Sequence, residues 1–175
     1  MNKIYLAGPE VFLPEAKRVL EHHKSICRKY GYEGLSPFDG EVTNEIGLER
    51  ARKIFLENCK LIRACDIVVV NCNSFRGALV DDGSAFEIGF AKALGKVIFG
   101  YLDHRKPLLE LVESKIPTSS HSSGFRIDND GYLLSEDFGN SINLMLEFAI
   151  LESGGQLIQG NFEETIQVIS QSLVS

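Results

Sequence analysis

Apolar positions along the chain follow two alternating patterns. Short apolar runs are separated by longer segments in which apolar residues recur every three or four positions. The short runs predict strands and the recurring spacing predicts helices. The predicted strands are 3–7, 34–36, 66–71 and 96–102. The predicted helices are 15–30, 45–64, one that begins near Ser84, 108–115, 141–152 and 162–173.

The alternation of strands and helices predicts an α/β domain with a doubly wound parallel sheet and right-handed crossovers. The run DIVVVN at 66–71 is apolar without interruption, which is typical of a central parallel strand covered on both faces. Residues 117–137 are rich in Ser, Gly and Asp and predict a turn or a short hairpin. Because no repeat and no long linker divides the chain, we expect a single domain over 1–175.

The composition and net charge of the chain exclude several classes of function. The chain has 175 residues, of which 44% are hydrophobic and 24% charged, with a net charge of -6. Such a charge attracts neither nucleic acid nor an anionic membrane. No apolar run approaches the roughly 20 residues that span a bilayer, and the apolar start is too short for a signal peptide. We therefore expect a soluble, cytoplasmic protein that binds no nucleic acid and no membrane.

Several cofactor and metal motifs are absent from the sequence. It contains no G-x-x-x-x-G-K, no G-x-G-x-x-G and no G-x-S-x-G, which argues against a phosphate loop, a dinucleotide site and a hydrolase elbow. The four cysteines form no C-x-x-C pair and have no histidine cluster beside them. We expect no cofactor, no metal, and cysteines that are reduced and mostly packed.

One carboxylate lies where an apolar residue is expected. In the segment DDGSAFEIGFAKALGK at 81–96, a helix that begins near Ser84 places Glu87 on the same side as Phe90 and Ala91. That side should face the protein interior. An unpaired carboxylate is costly there, so Glu87 needs an explanation.

Two interpretations of Glu87 follow from the local pattern. The first is structural: Ser84-Ala-Phe-Glu87 matches the S-x-x-E capping box, in which Glu reaches back to the first amide of the helix. The second is chemical. Glu87 lies in the first helical turn beside Asp81 and Asp82, where the helix dipole favours its ionised form. An ionised, partly desolvated and rigidly held carboxylate suits a nucleophile that attacks a sugar carbon.

Four blocks in this order resemble the nucleoside 2-deoxyribosyltransferase family: IYLAGP at 4–9, NCKLIRACDIVVVN at 58–71, the segment 81–96, and NLM at 143–145. The resemblance covers roughly residues 3–148. It implies a flavodoxin-like α/β fold with helices on both faces of the sheet. It also implies cleavage of the N-glycosidic bond of a 2′-deoxynucleoside and transfer of the deoxyribosyl group to another purine or pyrimidine base.

The resemblance assigns roles to five residues. Glu87 matches the nucleophile, which forms a covalent deoxyribosyl-enzyme in a two-step reaction with retention. Asp81 matches the carboxylate that binds the sugar hydroxyls, mainly the 5′-OH, and therefore favours nucleosides over 5′-phosphates. Tyr5 matches a tyrosine that hydrogen-bonds the nucleophile. Asn143 and Met145 match residues donated by a neighbouring subunit, which implies a homo-oligomer, either a dimer or a hexamer.

The remaining expected contacts concern the base. Asn58 stands where many family members have Asp; it can hydrogen-bond a base but cannot act as a strong acid. The alternative for Asn58 is an amide satisfied inside the apolar stripe of its helix. Near the turn PFDGE, Glu41 aligns with Gln of some relatives. Asp39 and Glu41 either both face the base or serve the turn and solvent, and the turn is favoured for Asp39.

Substrate contacts are also expected from Gly8, at the end of the first strand, and from Gly83, at the start of the helix that carries Glu87. Phe12 and Phe38 follow strand ends and either form the walls of a base-stacking slot or belong to the core. Arg76 lies in the loop before Asp81, where it either covers the site or remains solvated.

Three functions are compatible with these residues. A transferase uses Glu87 as nucleophile and a second base as acceptor. A hydrolase uses the same site with water as acceptor. A non-catalytic nucleoside-binding module shares the fold but has no need for a carboxylate below the sugar.

Overall fold

The computed structural model describes residues 1–40 and 44–172. The strands are β1 (Lys3–Ala7), β2 (Glu33–Leu35), β3 (Ile67–Asn71), β4 (Val97–Leu102), β5 (Thr118–Ser120), β6 (Arg126–Asp128), β7 (Leu133–Leu134) and β8 (Leu157–Gln159). The helices are α1 (Ala16–Lys29), α2 (Gly47–Ala64), α3 (Asp82–Ala93), α4 (Leu108–Glu113), α5 (Leu144–Leu151) and α6 (Phe162–Ser172). Short 3₁₀ helices follow β1 at Pro9–Phe12 and β2 at Pro37–Asp39.

Five strands form one parallel sheet in the order β2-β1-β3-β4-β8. This order is that of the flavodoxin-like doubly wound fold, so the predicted fold class is confirmed. Tyr5 of β1 pairs with Leu35 of β2 on one side and with Val68 of β3 on the other. The order reverses between β1 and β3, and ligands in such sheets bind beyond the carboxyl ends of the strands at this point.

Helices cover both faces of the sheet, as the apolar run of β3 predicts. Val68 and Val70 point into a core shared with α2, α3 and α5. Ile67 and Val69 point into a second core, which is built with α1 and α6. Because successive side chains of a strand alternate between faces, one apolar strand supplies both cores.

The fifth strand, β8, was not predicted from the sequence. It is only three residues long, too short to show a period, and it follows a Gly-Gly turn. The turn has a steric reason: a Cβ at Gly155 would lie 1.8 Å from the carbonyl oxygen of Ile98. Only glycine lets the chain pass this closely along β4 before it enters the sheet.

The segment predicted as a turn or short hairpin is larger than expected. Strands β5, β6 and β7 form a separate three-stranded antiparallel sheet. The four cysteines are free and buried, as expected for reduced, packed thiols. Among the described residues, no helix combines the length and the apolar character needed to cross a bilayer.

Candidate active site

A hydrogen bond between β1 and α3 defines the centre of the site. Tyr5 is fully buried, and its hydroxyl donates to Oε1 of Glu87 over 2.6 Å. Both β1 and α3 contribute side chains to the core on this face of the sheet. The inward direction of Glu87 is therefore explained by a specific polar partner inside the protein.

Helix α3 begins earlier than predicted, and the capping-box interpretation of Glu87 is wrong. The helix starts at Asp82, and Asp81 is its N-cap. Oδ2 of Asp81 accepts from the backbone N–H of Ser84 over 3.0 Å and from the Ser84 hydroxyl over 3.1 Å. An aspartate at this position also interacts favourably with the helix dipole. Ser84 is thus the third residue of the helix, and the carboxylate of Glu87 is left to bond Tyr5.

The pKa of Glu87 is raised from 4.5 to about 7. Burial is the largest cause, because it penalises the charged form. The hydrogen bond from Tyr5 lowers the pKa, and the charge of Asp81 raises it. The sequence led us to expect a helix dipole that keeps Glu87 ionised, but desolvation outweighs the dipole. Near pH 7, Glu87 is therefore only partly ionised.

Glu87 borders a cavity of about 330 Å³ between α2 and α3. This volume is at the lower end of the range for small-molecule sites, roughly 300–1,000 Å³. Gly83 and Phe86 of α3 and Phe55 of α2 also line it. The rings of Phe55 and Phe86 lie 5.6 Å apart at 52°, so two aromatic surfaces border the cavity. Such a space suits a flat, largely apolar ring.

Asn58 lines the same cavity and lacks a partner. Its Oδ1 is buried, and no group in residues 1–40 or 44–172 bonds to it. A buried oxygen without a hydrogen bond costs about 1–3 kcal/mol. The structure therefore contradicts the interpretation of Asn58 as an amide satisfied inside its helix.

Asp39 and Glu41 do not join this group. Asp39 forms an ion pair with Lys24, and its Oδ2 accepts from the backbone N–H of Ser36 over 2.8 Å. One carboxylate oxygen thus bonds within the turn after β2 and the other pairs with α1, which supports the turn interpretation and not a contact to the base. Glu41 lies outside the described residues.

Phe12 and Gly8 have local structural explanations. Phe12 stacks on Phe75 with ring centroids 5.2 Å apart, and the Arg76 guanidinium lies 5.1 and 4.7 Å from the two ring centres. Because Phe12 is 56% exposed, it is not an ordinary core aromatic. Gly8 has a φ of +150°, and a Cβ there would lie 2.8 Å from the Cβ of Asn71, so this position favours glycine.

The sequence is similar to one family of known proteins. The sequence model described as nucleoside 2-deoxyribosyltransferase matches residues 4–145. The chain belongs to the nucleoside 2-deoxyribosyltransferase family. It is also 34% identical to an uncharacterized protein of Schizosaccharomyces pombe over 166 residues, which is 87% of this chain and 78% of that protein.

Solved structures of the same fold include a 2-desoxiribosyltransferase from Leishmania mexicana. It is 28% identical, has a TM-score of 0.73, and the similarity covers 98% of both chains. A CMP N-glycosidase from Clostridium botulinum is 16% identical, has a TM-score of 0.51, and matches 99% of this chain and all of its own. At that identity the second likeness indicates the fold alone.

The two positions at which the family resemblance predicts contacts from a neighbouring subunit lie at the start of α5. Oδ1 of Asn143 accepts from the backbone N–H of Met145 over 3.1 Å, and its Nδ2 donates to Glu136 over 2.9 Å. Within one chain, Asn143 lines a second cavity of about 210 Å³ together with Asp82. Met145 is 70% exposed and so is free to reach beyond its own chain.

Two aromatic residues that border the cavity, Phe55 and Phe86, were not among the site residues expected from the sequence. The signal was present, because Phe55 and Asn58 lie three residues apart and share one face of α2. Only the facing helix shows that this stripe borders a cavity. In the described part of the chain, no three His, Cys, Asp or Glu side chains lie close enough to hold a metal ion.

Proposed function

We propose that the protein transfers the 2-deoxyribosyl group of a 2′-deoxynucleoside to another base through a covalent intermediate on Glu87, with retention of configuration. The observation that carries this proposal is the partly buried Glu87, hydrogen-bonded to Tyr5 at the edge of a largely apolar cavity. Oε1 of Glu87 accepts from Tyr5, and among the described residues Oε2 has no partner. Oε2 is therefore the oxygen available for attack.

The reaction follows two displacements at the anomeric carbon. Oε2 of Glu87 forms a bond to C1′ while the C1′–N bond breaks, and its electron pair leaves with the base. The nitrogen lone pair of a second base then attacks C1′ from the vacated side, and the bond to Glu87 breaks. The acceptor loses its N–H proton to solvent, and the carboxylate is regenerated.

Tyr5 and Asp81 have supporting roles in this proposal. The Tyr5 hydroxyl fixes one oxygen of Glu87 and stabilises its charged form. Asp81 is held at the helix start by Ser84, with Oδ2 already bonded. Its other oxygen would accept from the 5′-hydroxyl of the sugar, whereas a 5′-phosphate would be repelled. This favours nucleosides as substrates.

Base exchange with labelled adenine tests the proposal. Incubation with 2′-deoxyadenosine and isotope-labelled adenine should give labelled 2′-deoxyadenosine, measured by mass spectrometry; other deoxynucleosides with their own labelled bases form a panel. Free deoxyribose without label exchange would indicate a hydrolase that uses water as acceptor. Binding without turnover of any pair would indicate a nucleoside-binding module and would overturn the proposal.

The pH dependence follows from the state of the nucleophile. Glu87 must be ionised to attack, and its pKa is raised to about 7. We expect kcat/KM for base exchange to increase with pH and to level off above about pH 8. A pH–rate profile checks this. A plateau that already begins at pH 5.5 would mean that Glu87 has an ordinary pKa or is not the nucleophile.

We further propose that the active form is a homo-oligomer in which Asn143 and Met145 complete a neighbour's site. The exposed apolar side chains on α5 support this: Met145 is 70% and Phe148 is 55% exposed.

Light scattering should give a mass at least twice the 19.4 kDa of one chain. Met145→Glu should shift the protein toward monomers and lower its activity, whereas Leu48→Glu, on the exposed start of α2, should not. A fully active monomer would contradict this proposal.

A further inference from the structure

Two carboxylates hold the segment that leads from β7 into α5. Glu147 is buried and pairs with Arg105 over 3.0 Å, and its Oε2 accepts from the backbone N–H of Ser141 over 2.6 Å. Glu147 thus fixes the backbone of this segment. Glu136 differs, because it also bonds to the side chain of Asn143, the residue that we place in a neighbour's site.

Glu136 accepts three hydrogen bonds from residues at the start of α5. Its Oε2 accepts from Nδ2 of Asn143 over 2.9 Å. Its Oε1 accepts from Nδ2 of Asn140 over 2.7 Å and from the backbone N–H of Leu144. Hydrogen bonds to a carboxylate are stronger than those between neutral groups. Glu136 is therefore anchored through one oxygen and holds Asn143 with the other.

These contacts determine which way the amide of Asn143 faces. Its Oδ1 accepts from the backbone N–H of Met145 over 3.1 Å, while its Nδ2 donates to Glu136. Half a turn of the amide would set Nδ2 against the N–H of Met145 and Oδ1 against the carboxylate, so both bonds would be lost. Nδ2 carries two protons, and one of them is left after the bond to Glu136.

The held amide lies beside the start of the helix that carries Glu87. Asn143 and Asp82 line the same cavity of about 210 Å³ between α3 and α5. In a two-fold dimer the same surface of both copies meets. A dimer built on this face would therefore bring the α5 start of each copy beside the α3 start of the other, where the proposed site lies.

We propose that Glu136 is a positioning residue that acts on the site of the neighbouring subunit. It holds the Asn143 amide in one orientation and so presents an N–H to the nucleoside bound beside the neighbour's Glu87. Glu136 itself touches no substrate and takes no part in bond formation. This inference rests on the proposed function and on its homo-oligomer, and it adds the group that orients the donated residue.

Glu136→Gln tests the orientation with almost no change of shape. The new side chain has one oxygen, which Leu144 and Asn140 occupy, and an NH2 group that faces the NH2 group of Asn143. We expect the four common 2′-deoxynucleosides to bind about tenfold more weakly. Calorimetry measures this in a Glu87→Gln background, which prevents turnover.

The kinetics distinguish positioning from general damage to the site. In chains that keep Glu87, Glu136→Gln should raise KM for base exchange by the same factor. The acidic limb of the pH profile should stay in place, because the bond between Tyr5 and Glu87 is untouched. Glu163→Gln is the matched control, since this carboxylate is paired with Lys29 on α6, which packs against the other core, and it should change neither quantity.

Mixed oligomers show whether Glu136 acts on its own chain or on the neighbour. Glu87→Gln lacks the nucleophile but keeps a held Asn143, and Glu136→Gln has the opposite defect. In randomly assembled dimers of the two variants, about a quarter of the sites combine an intact nucleophile with a held Asn143. Exchange with the KM of the unaltered protein should therefore return. A role within one chain gives no such recovery.

Unchanged nucleoside affinity in Glu136→Gln, or mixed oligomers that keep the raised KM, would overturn this inference. Light scattering and thermal unfolding check that the variant folds and assembles. If it does not, Glu136→Asp replaces it, since it keeps the charge at the helix start but shortens the reach to Asn143. Binding without exchange in the unaltered protein would refute the transferase, and the affinity comparison would still decide the role of Glu136. Exchange with unchanged affinity would refute that role alone.

Discussion

Glu87→Gln is expected to abolish base exchange while making the folded protein more stable above pH 7. Glutamine keeps an oxygen that accepts from the Tyr5 hydroxyl, so the fold should be preserved. It cannot form the proposed covalent intermediate, because a neutral amide is a poor nucleophile. Loss of a covalent nucleophile typically costs several powers of ten in rate, and we expect a reduction of at least about a thousandfold.

The gain in stability follows from the raised pKa of Glu87. Since this pKa is about 7 in the folded protein and 4.5 in the reference state, the folded state binds the proton more tightly. Stability therefore falls as pH rises through the range 4.5 to 7, and the full cost remains above it. The difference between the two pKa values corresponds to about 3 kcal/mol. Glutamine carries no charge and avoids this cost.

Thermal unfolding at several pH values measures the effect. The melting temperature of Glu87→Gln should exceed that of the unaltered protein by several degrees at pH 8, and the two should converge near pH 4.5. A uniform difference at all pH values would show that burial does not raise the pKa of Glu87. Loss of activity together with lower stability at pH 8 would indicate a purely structural role for this carboxylate.

The sheet could be predicted where apolar runs are long. β3 and β4 have five and six residues, and their patterns identified them as strands. β8 could not be predicted, because its place in the sheet depends on close approach of Gly155 to the backbone of Ile98. Whether such a short segment forms a strand depends on contacts between residues far apart in sequence, and no local pattern of apolar residues reveals these contacts.

In the site as well, local sequence patterns do not predict the partners of single side chains. The helical period placed Glu87 correctly on the inner face of α3. The local pattern S-x-x-E then suggested the wrong partner, since Asp81 outcompetes Ser84 as the cap and the true partner, Tyr5, lies 82 positions away. Likewise, the stripe of α2 does not reveal that Asn58 is unpartnered. This becomes visible only when α3 is placed opposite it.

Tyr5→Phe is expected to lower kcat/KM roughly ten- to a hundredfold at pH 7 and to move the acidic limb of the pH profile to higher pH. The hydrogen bond from Tyr5 lowers the pKa of Glu87, so its removal leaves burial and the charge of Asp81 to raise this pKa further. Phenylalanine fills nearly the same volume and opens no cavity. A hydrogen bond to a charged group contributes roughly 1.5–3 kcal/mol, consistent with an effect of this size.

The same pH–rate profile separates two contributions of the Tyr5 hydroxyl to the rate of base exchange. If the hydroxyl acts only through the pKa of Glu87, the rates of Tyr5→Phe and the unaltered protein should meet at pH 9, where Glu87 is ionised in both. If it also fixes Oε1 and so directs Oε2 toward the anomeric carbon, a tenfold deficit should persist there. We expect the persistent deficit, because the 2.6 Å bond is the contact that anchors the carboxylate within a largely apolar wall. If Tyr5→Phe kept full activity and an unchanged acidic limb of the pH profile, the role of Tyr5 would be limited to packing in the core.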